Sequence, residues 1–299
     1  MAVNPPIIVP LVFKALSAFA PRTAGHLGFK LFCRPLSAKR VNRVQRAVQP
    51  IAEELMAAAT IDTLAFPEGN GTQRHITTYT FEPSEQPAIK TTLLLHGWSS
   101  RATHLLAFVP QLTQQGHRVV AVDFPAHGLS DGRTFHLPLG VRALHAVKDR
   151  FTDWDSIIAH SLGGPVATSL VSGAIEGFDP ISVRRMVLIS SPNSMPRIFA
   201  QYARMIGLSG VAENMLNGYV VDLAGNPLSS FIASEQLATS RVQTLVMHDP
   251  GDQEVPFSEA ADLVKAGAHV QLQEVRDVGH RRILYSSDVI ERAARFCTE

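Results

Sequence analysis

Apolar residues along this chain follow two periods, and the change comes near residue 60. In the first segment Val9, Val12, Phe13, Leu16 and Phe19 recur at helical spacing. A second stripe, Val41, Val44, Val48 and Ile51, runs through residues 38–59 with basic residues between its members. These spacings predict helices over much of residues 1–58, packed through their apolar stripes against the body of the protein. From about residue 62 the pattern becomes strand-like. Residues 74–83 alternate, as a half-buried strand does, and short apolar runs follow at 89–98, 117–124, 155–161, 184–191, 242–249 and 269–275. Several are nearly continuous in Val, Ile and Leu, which fits strands buried on both faces. Helix-like stretches at 102–115, 137–150, 162–174, 257–266 and 284–297 separate them. Strand–helix alternation in this order predicts an α/β fold: a mostly parallel, doubly wound sheet with helices on both faces.

That rhythm breaks between Ser191 and Val242. The gap is too long for a bare connection in a compact domain. It contains "MPRIFAQYARMIGL" and "VAENMLNGY", which read as helices rich in Met, Phe and Tyr. The expectation is a small helical lid at about 193–240, overhanging the carboxyl ends of the strands. The chain then divides into an N-terminal helical extension, 1–58, and a catalytic domain, 59–299, that carries the lid.

The bulk numbers change this picture little. The chain has 299 residues and a formal net charge of +1, so no global field draws nucleic acid. The balance is uneven: residues 1–60 hold eight Lys or Arg and two Glu, a net of +6, which leaves −5 for the rest. The alternative reading of the N-terminal stripes is therefore a basic amphipathic segment in peripheral contact with an anionic membrane surface. No apolar run reaches the ~18 residues that a membrane span needs. The N-terminus has no basic leader, and Pro10 and Lys14 break its apolar run, so it does not read as a cleaved signal. Two cysteines, Cys33 and Cys297, make no disulfide framework and match no zinc spacing; reduced thiols in a cytoplasmic protein are the expectation. No cofactor or metal is implied.

Ligands of doubly wound sheets bind outside the carboxyl ends of the strands. There the sequence places His96-Gly97-Trp98, Asp123 through Asp131, His160-Ser161-Leu162-Gly163-Gly164, His248-Asp249-Pro250-Gly251-Asp252 and Asp277-Val278-Gly279-His280. A serine, acids and a histidine thus stand at three strand ends in the chain order Ser–Asp–His. Over residues 62–299 this arrangement resembles the α/β-hydrolase superfamily, specifically its serine carboxylesterase and lipase-like members. Ala159-His160-Ser161-Leu162-Gly163 is similar to that family's G-x-S-x-G elbow, with Ala in place of the first Gly.

On this reading Ser161 is the nucleophile. The N–H of Leu162, at the start of the following helix, is one oxyanion donor. The resemblance implies the N–H of Trp98 as the second. His280, after the last strand and behind a flexible Gly279, is the general base; His127 and His248 also stand at strand ends, while His96 and His160 read as structural. Asp249 and Asp252 both lie on the right loop, and alignment of "HDPGDQEVP" with the family pattern favours Asp252 as the acid. Asp123 is expected to tie loops together. The pocket candidates are Phe124, Met195, Phe199, Met205 and Met215. The expected substrate is a small-molecule ester with an apolar acyl group, cleaved through an acyl-enzyme. A thioesterase or lactonase would use the same residues, and so would a lipase or acyltransferase at a membrane surface.

Overall fold

A computed structural model describes residues 6, 8–35, 52–69, 71–83, 85, 87, 88 and 90–299. The eight-stranded sheet consists of β1 (Thr60–Pro67), β2 (Gln73–Phe81), β3 (Lys90–Leu95), β4 (His117–Asp123), β5 (Trp154–His160), β6 (Arg185–Ile189), β7 (Gln243–His248) and β8 (Val270–Glu274). Their order across the sheet is β1-β2-β4-β3-β5-β6-β7-β8. β1–β2 and β2–β4 pair antiparallel, and every later pair is parallel. Continuous apolar runs became central strands: all seven residues of β5 are buried, and Leu93 of β3 lies between Val120 of β4 and Ile157 of β5.

The order β4-β3-β5 matters for function. After β3 the chain moves out to β4, then crosses back over β3 to enter β5. The direction of winding therefore reverses between β3 and β5, and a crevice opens at their carboxyl ends. The segments leaving that crevice are His96-Gly97-Trp98 and Ser161-Leu162.

Besides a helical stretch at residues 52–57, eleven α-helices among the described residues clothe the sheet. They are α1 (Ile8–Phe19), α2 (Pro21–Phe32), α3 (Val109–Gln114), α4 (Leu137–Arg150), α5 (Gly163–Ser172), α6 (Met195–Ile206), α7 (Gly210–Ala224), α8 (Ala233–Ser240), α9 (Phe257–Leu263), α10 (Gly279–Arg282) and α11 (Ser287–Thr298). One core joins α2, α4, α5 and the α6–α8 insertion to one face of the sheet; a second joins the 3₁₀ segment Ala102–Phe108, α3 and α11 to the other.

Four expectations needed revision. β1 has no counterpart in the predicted elements, because in "TIDTLAFP" only Phe66 is buried and the strand lies at the sheet edge. The 102–115 stretch is a 3₁₀ segment followed by α3, and the insertion contains a third helix, α8. The α1 stripe does not bury as one face: Phe13 is buried, while Val12 and Phe19 point outward. The Val41–Ile51 stripe lies outside the described residues.

The insertion is tied down where it begins. Ser194 caps α6 by accepting from Arg197 N, and the buried carboxylate of Glu259 on α9 accepts from Asn193 N at 2.7 Å and Ser194 N at 3.1 Å. α2 packs directly on α7. A Cβ at Gly25 would lie 2.6 Å from Ala212 O, so the helices approach as closely as glycine allows. Tyr202 of α6 donates to Gly28 O at 3.0 Å.

Candidate active site

β5 ends in a turn too sharp for ordinary backbone. Ser161 sits at φ 52°, in the left-handed region, and its N–H donates to Ile189 O at 2.9 Å across the sheet. Ala159, which replaces the family's first glycine, is wholly buried and fits. Gly163 has no such latitude, since a Cβ there would stand 2.5 Å from Leu95 O. The turn lifts the Ser161 side chain, which is half-buried, above the end of the sheet.

His280 reaches this hydroxyl from α10. Its Nε2 lies 3.1 Å from Ser161 Oγ, and its Nδ1 lies 2.8 Å from Asp252 Oδ2. The loop before it is pinned by Asp249, whose Oδ2 accepts from Val278 N at 2.8 Å and Gly279 N at 2.5 Å. The two candidate acids thus do different things: Asp252 meets the imidazole, and Asp249 holds the backbone that carries it. Burial opposes ionisation of Asp252. The hydrogen bond and charge of His280, with the N–H groups of Val255 and Glu254, outweigh that and hold its carboxyl at about 2.

The other histidines are structural in geometry. His160 donates from Nε2 to His280 O at 2.8 Å, and burial holds its pKa at about 3. His96 accepts from Phe124 N at 3.0 Å and donates to Gly97 O at 2.7 Å. His127 accepts from Ser99 N at 3.1 Å and donates to Pro125 O at 2.9 Å; burial lowers its pKa to about 4. His96 and His127 therefore brace the 97–99 loop from both sides as neutral rings. His248 donates to Val255 O at 2.9 Å and lies 3.5 Å from Asp252 Oδ2, behind the acid. Asp123 accepts from Tyr79 OH, Ala102 N and Leu129 N, and so ties β2, the start of the 3₁₀ segment and its own following loop together.

Leu162 is the N-cap of α5, so its amide belongs to the free first turn of the helix. Leu162 and Trp98, the two expected oxyanion residues, both line an apolar cavity of about 40 Å³. Met195 and Phe199 line it too. Phe124, Met205 and Met215 do not. Phe124 is sealed below, packed on His96 and Phe135; Met205 falls off the inner face of α6; Met215 is part-exposed beside Gly25. Sequence reasoning missed Phe29, Phe32 and Cys33 of the N-terminal segment, together with Phe135 and Phe231. The i, i+3, i+4 spacing of Phe29, Phe32 and Cys33 was the available signal. Phe32 stacks within 6.0 Å of Trp98 and 4.5 Å of Phe199, which joins three distant chain segments in one wall. Burial pushes the Cys33 thiol up to about 12, so it is inert lining. Among the described residues no group of His, Cys, Asp or Glu could hold a metal ion.

Comparison with known proteins agrees with this architecture. A sequence model of the alpha/beta hydrolase family matches residues 92–296. A serine hydrolase-like protein of Danio rerio is 34% identical over 135 residues, covering 42% of this chain and 39% of that protein, so the match spans about two fifths of the relative's length. The esterase domain of a Rhodothermus marinus protein has the same fold, with TM-score 0.55 and 20% identity over 80% of this chain and 96% of that one. Est1E of Butyrivibrio proteoclasticus, solved with ferulic acid bound, gives TM-score 0.62 at 17% identity over 79% of this chain and 100% of that one.

Proposed function

The chain belongs to the α/β-hydrolase family, and from that premise we propose that it is a serine esterase cleaving carboxylic esters of apolar acyl groups. The observation that carries this reading is the hydrogen-bond series Ser161–His280–Asp252 beside an apolar cavity with Leu162 and Trp98 in its wall. Esterases among the structural neighbours point the same way.

In the first half-reaction His280 Nε2 takes the Ser161 proton as Oγ bonds to the ester carbonyl carbon. The carbonyl oxygen becomes an oxyanion held by the amides of Leu162 and Trp98, each such donor contributing about 3 kcal/mol to the transition state. The tetrahedral intermediate collapses, the C–O bond to the alcohol breaks, and His280 returns the proton to the leaving oxygen. A water molecule then repeats the sequence on the acyl-enzyme, releasing the acid and restoring the serine. Asp252 keeps the imidazole in the tautomer with hydrogen on Nδ1 and stabilises the imidazolium. The acyl chain lies along Phe32, Met195 and Phe199. The space between these side chains, about 40 Å³, holds a few heavy atoms at ~10–15 Å³ per water-sized site, so short acyl groups fit it without displacing the wall.

The test is a panel of p-nitrophenyl esters from acetate to octanoate. Hydrolysis is expected to be fastest with short chains and lost in Ser161→Ala with the fold intact by circular dichroism. Near-full activity of Ser161→Ala would remove the nucleophile assignment, and the mechanism with it.

A further inference from the structure

α1 is apolar on two opposite faces. Its inner face buries Phe13 and Ser17. On its outer face Ile8, Leu11, Val12 and Phe19 follow one another at i, i+3, i+4 and i+11, and are 66%, 62%, 54% and 91% exposed. An apolar helix face is ordinarily covered; the outer face of α1 is exposed. α2, which packs on α1, continues the pattern with exposed Leu27 and Leu31 one turn apart. Contiguous apolar surface of this kind marks a contact site.

Charge identifies what the site contacts. Residues 6–35 contain Lys14, Arg22, Lys30 and Arg34 and no Asp or Glu. All four cations are exposed, and among the described residues none pairs with a carboxylate. Lys30 lies beside Leu27 and Leu31 on α2, and Arg34 follows just past its end; both are exposed, with stems long enough to hold their charges above an apolar layer. A second copy of the chain, docking face to face, would set these four cations against four more. Acidic headgroups over an acyl interior match both features.

We propose that the outer faces of α1 and α2 dock on an anionic lipid surface. The inner face of α2 carries Phe29, Phe32 and Cys33 of the apolar cavity, so the same helix would separate lipid from the cavity and pass acyl esters between them. That delivery role rests on the esterase reading; docking itself does not.

Flotation of the intact chain with vesicles of phosphatidylcholine, with and without 30% phosphatidylglycerol (~, a composition chosen to give a strongly anionic surface), tests this. The chain is expected to float with anionic vesicles, less so as salt rises, and poorly with neutral ones. Lys14→Ala/Arg22→Ala/Lys30→Ala is expected to weaken partitioning on the order of a hundredfold. Leu11→Ser/Phe19→Ser is expected to weaken it at least about tenfold. All variants should hydrolyse soluble p-nitrophenyl acetate as the parent does, since none of these side chains lines the cavity. Failure of the intact chain to float overturns docking, as does undiminished binding by both variants. A concentration-dependent dimer that Leu11→Ser/Phe19→Ser dissolves overturns it in favour of self-association. Vesicle binding without any ester hydrolysis would instead sink the esterase reading and leave docking standing.

Discussion

Asp252→Asn separates the two acids more sharply than removal of either would. Asp252 Oδ1 accepts from Glu254 N at 2.7 Å and Val255 N at 3.0 Å, while Oδ2 faces His280 Nδ1 at 2.8 Å. Asparagine must therefore put its carbonyl oxygen toward the two amides and its NH₂ toward the imidazole. The reverse orientation would aim NH₂ at two N–H donors and lose both bonds, at about 1–3 kcal/mol each. With NH₂ facing it, Nδ1 can only accept, so the imidazole hydrogen moves to Nε2, the atom 3.1 Å from Ser161 Oγ. The ring cannot then take the serine proton. The same exchange in serine proteases costs ~10⁴ in kcat, which is about 5.5 kcal/mol of barrier. Asp249 touches no imidazole; its oxygens hold Gly251, Val278 and Gly279 amides. Asp249→Asn should loosen the loop and cost under about a hundredfold, because part of its hydrogen bonding survives. The assay is kcat for p-nitrophenyl acetate, with the fold checked by circular dichroism. An Asp252→Asn enzyme within tenfold of the parent would refute this reasoning, and so would Asp249→Asn proving the more damaging of the two.

Phe32→Ala opens the cavity wall between Trp98 and Phe199 and is expected to shift kcat/KM toward octanoate over butyrate while lowering stability by about 3–5 kcal/mol; an unchanged chain-length ratio would detach α2 from substrate binding. Gly25→Val pushes a side chain into Ala212 O and Met215 Cβ, at 2.6 and 2.7 Å, and should cost about 1–3 kcal/mol in thermal or urea unfolding, whereas an unaltered melting temperature would mean that the two helices are free to separate. Acid should destabilise the fold well before the carboxylates titrate. Burial lowers His127 and His136 from 6.5 to about 4 and His160 to about 3, so the unfolded chain binds protons that the folded one refuses. Their contribution is whole above 6.5 and is lost as pH falls toward 4, on the order of 3 kcal/mol from His127 alone. A melting temperature that stays flat from pH 7 to pH 4.5 would contradict this.

What the sequence made legible followed from period and position. β3 through β8 were readable because strands buried on both faces leave unbroken apolar runs, and most helices between them were readable from their spacing, α8 excepted. β1 was not, since an edge strand buries one residue in eight. Ser161, His280 and Asp252 could be singled out because each follows a strand end, where the doubly wound topology must gather them. The cavity was harder. Its lining depends on which face of each helix turns inward, and Met205 and Met215 share composition, not orientation, with Met195 and Phe199. Phe29 and Phe32 went unnoticed because α2 lies far in the chain from everything it lines.

Backbone strain falls at the same end of the sheet as the candidate site. Among the described residues, non-glycine positions with positive φ are Ser99, Ala126, Ser161, Ser190, Arg241 and Asp277. All but Arg241 follow the carboxyl ends of β3, β4, β5, β6 and β8. Each such residue costs about 1–3 kcal/mol and persists only where its surroundings over-determine it. Here the surroundings are identifiable. Ser99 is held through His127, Ser161 by Ile189 O, Ser190 by Met247 O, and the turn after Asp277 by Asp249. A sheet that needed only to be stable could end its strands in relaxed loops. The strain instead falls on the one edge where the Ser161 hydroxyl meets the His280 imidazole, and hydrogen bonds along that edge sustain it.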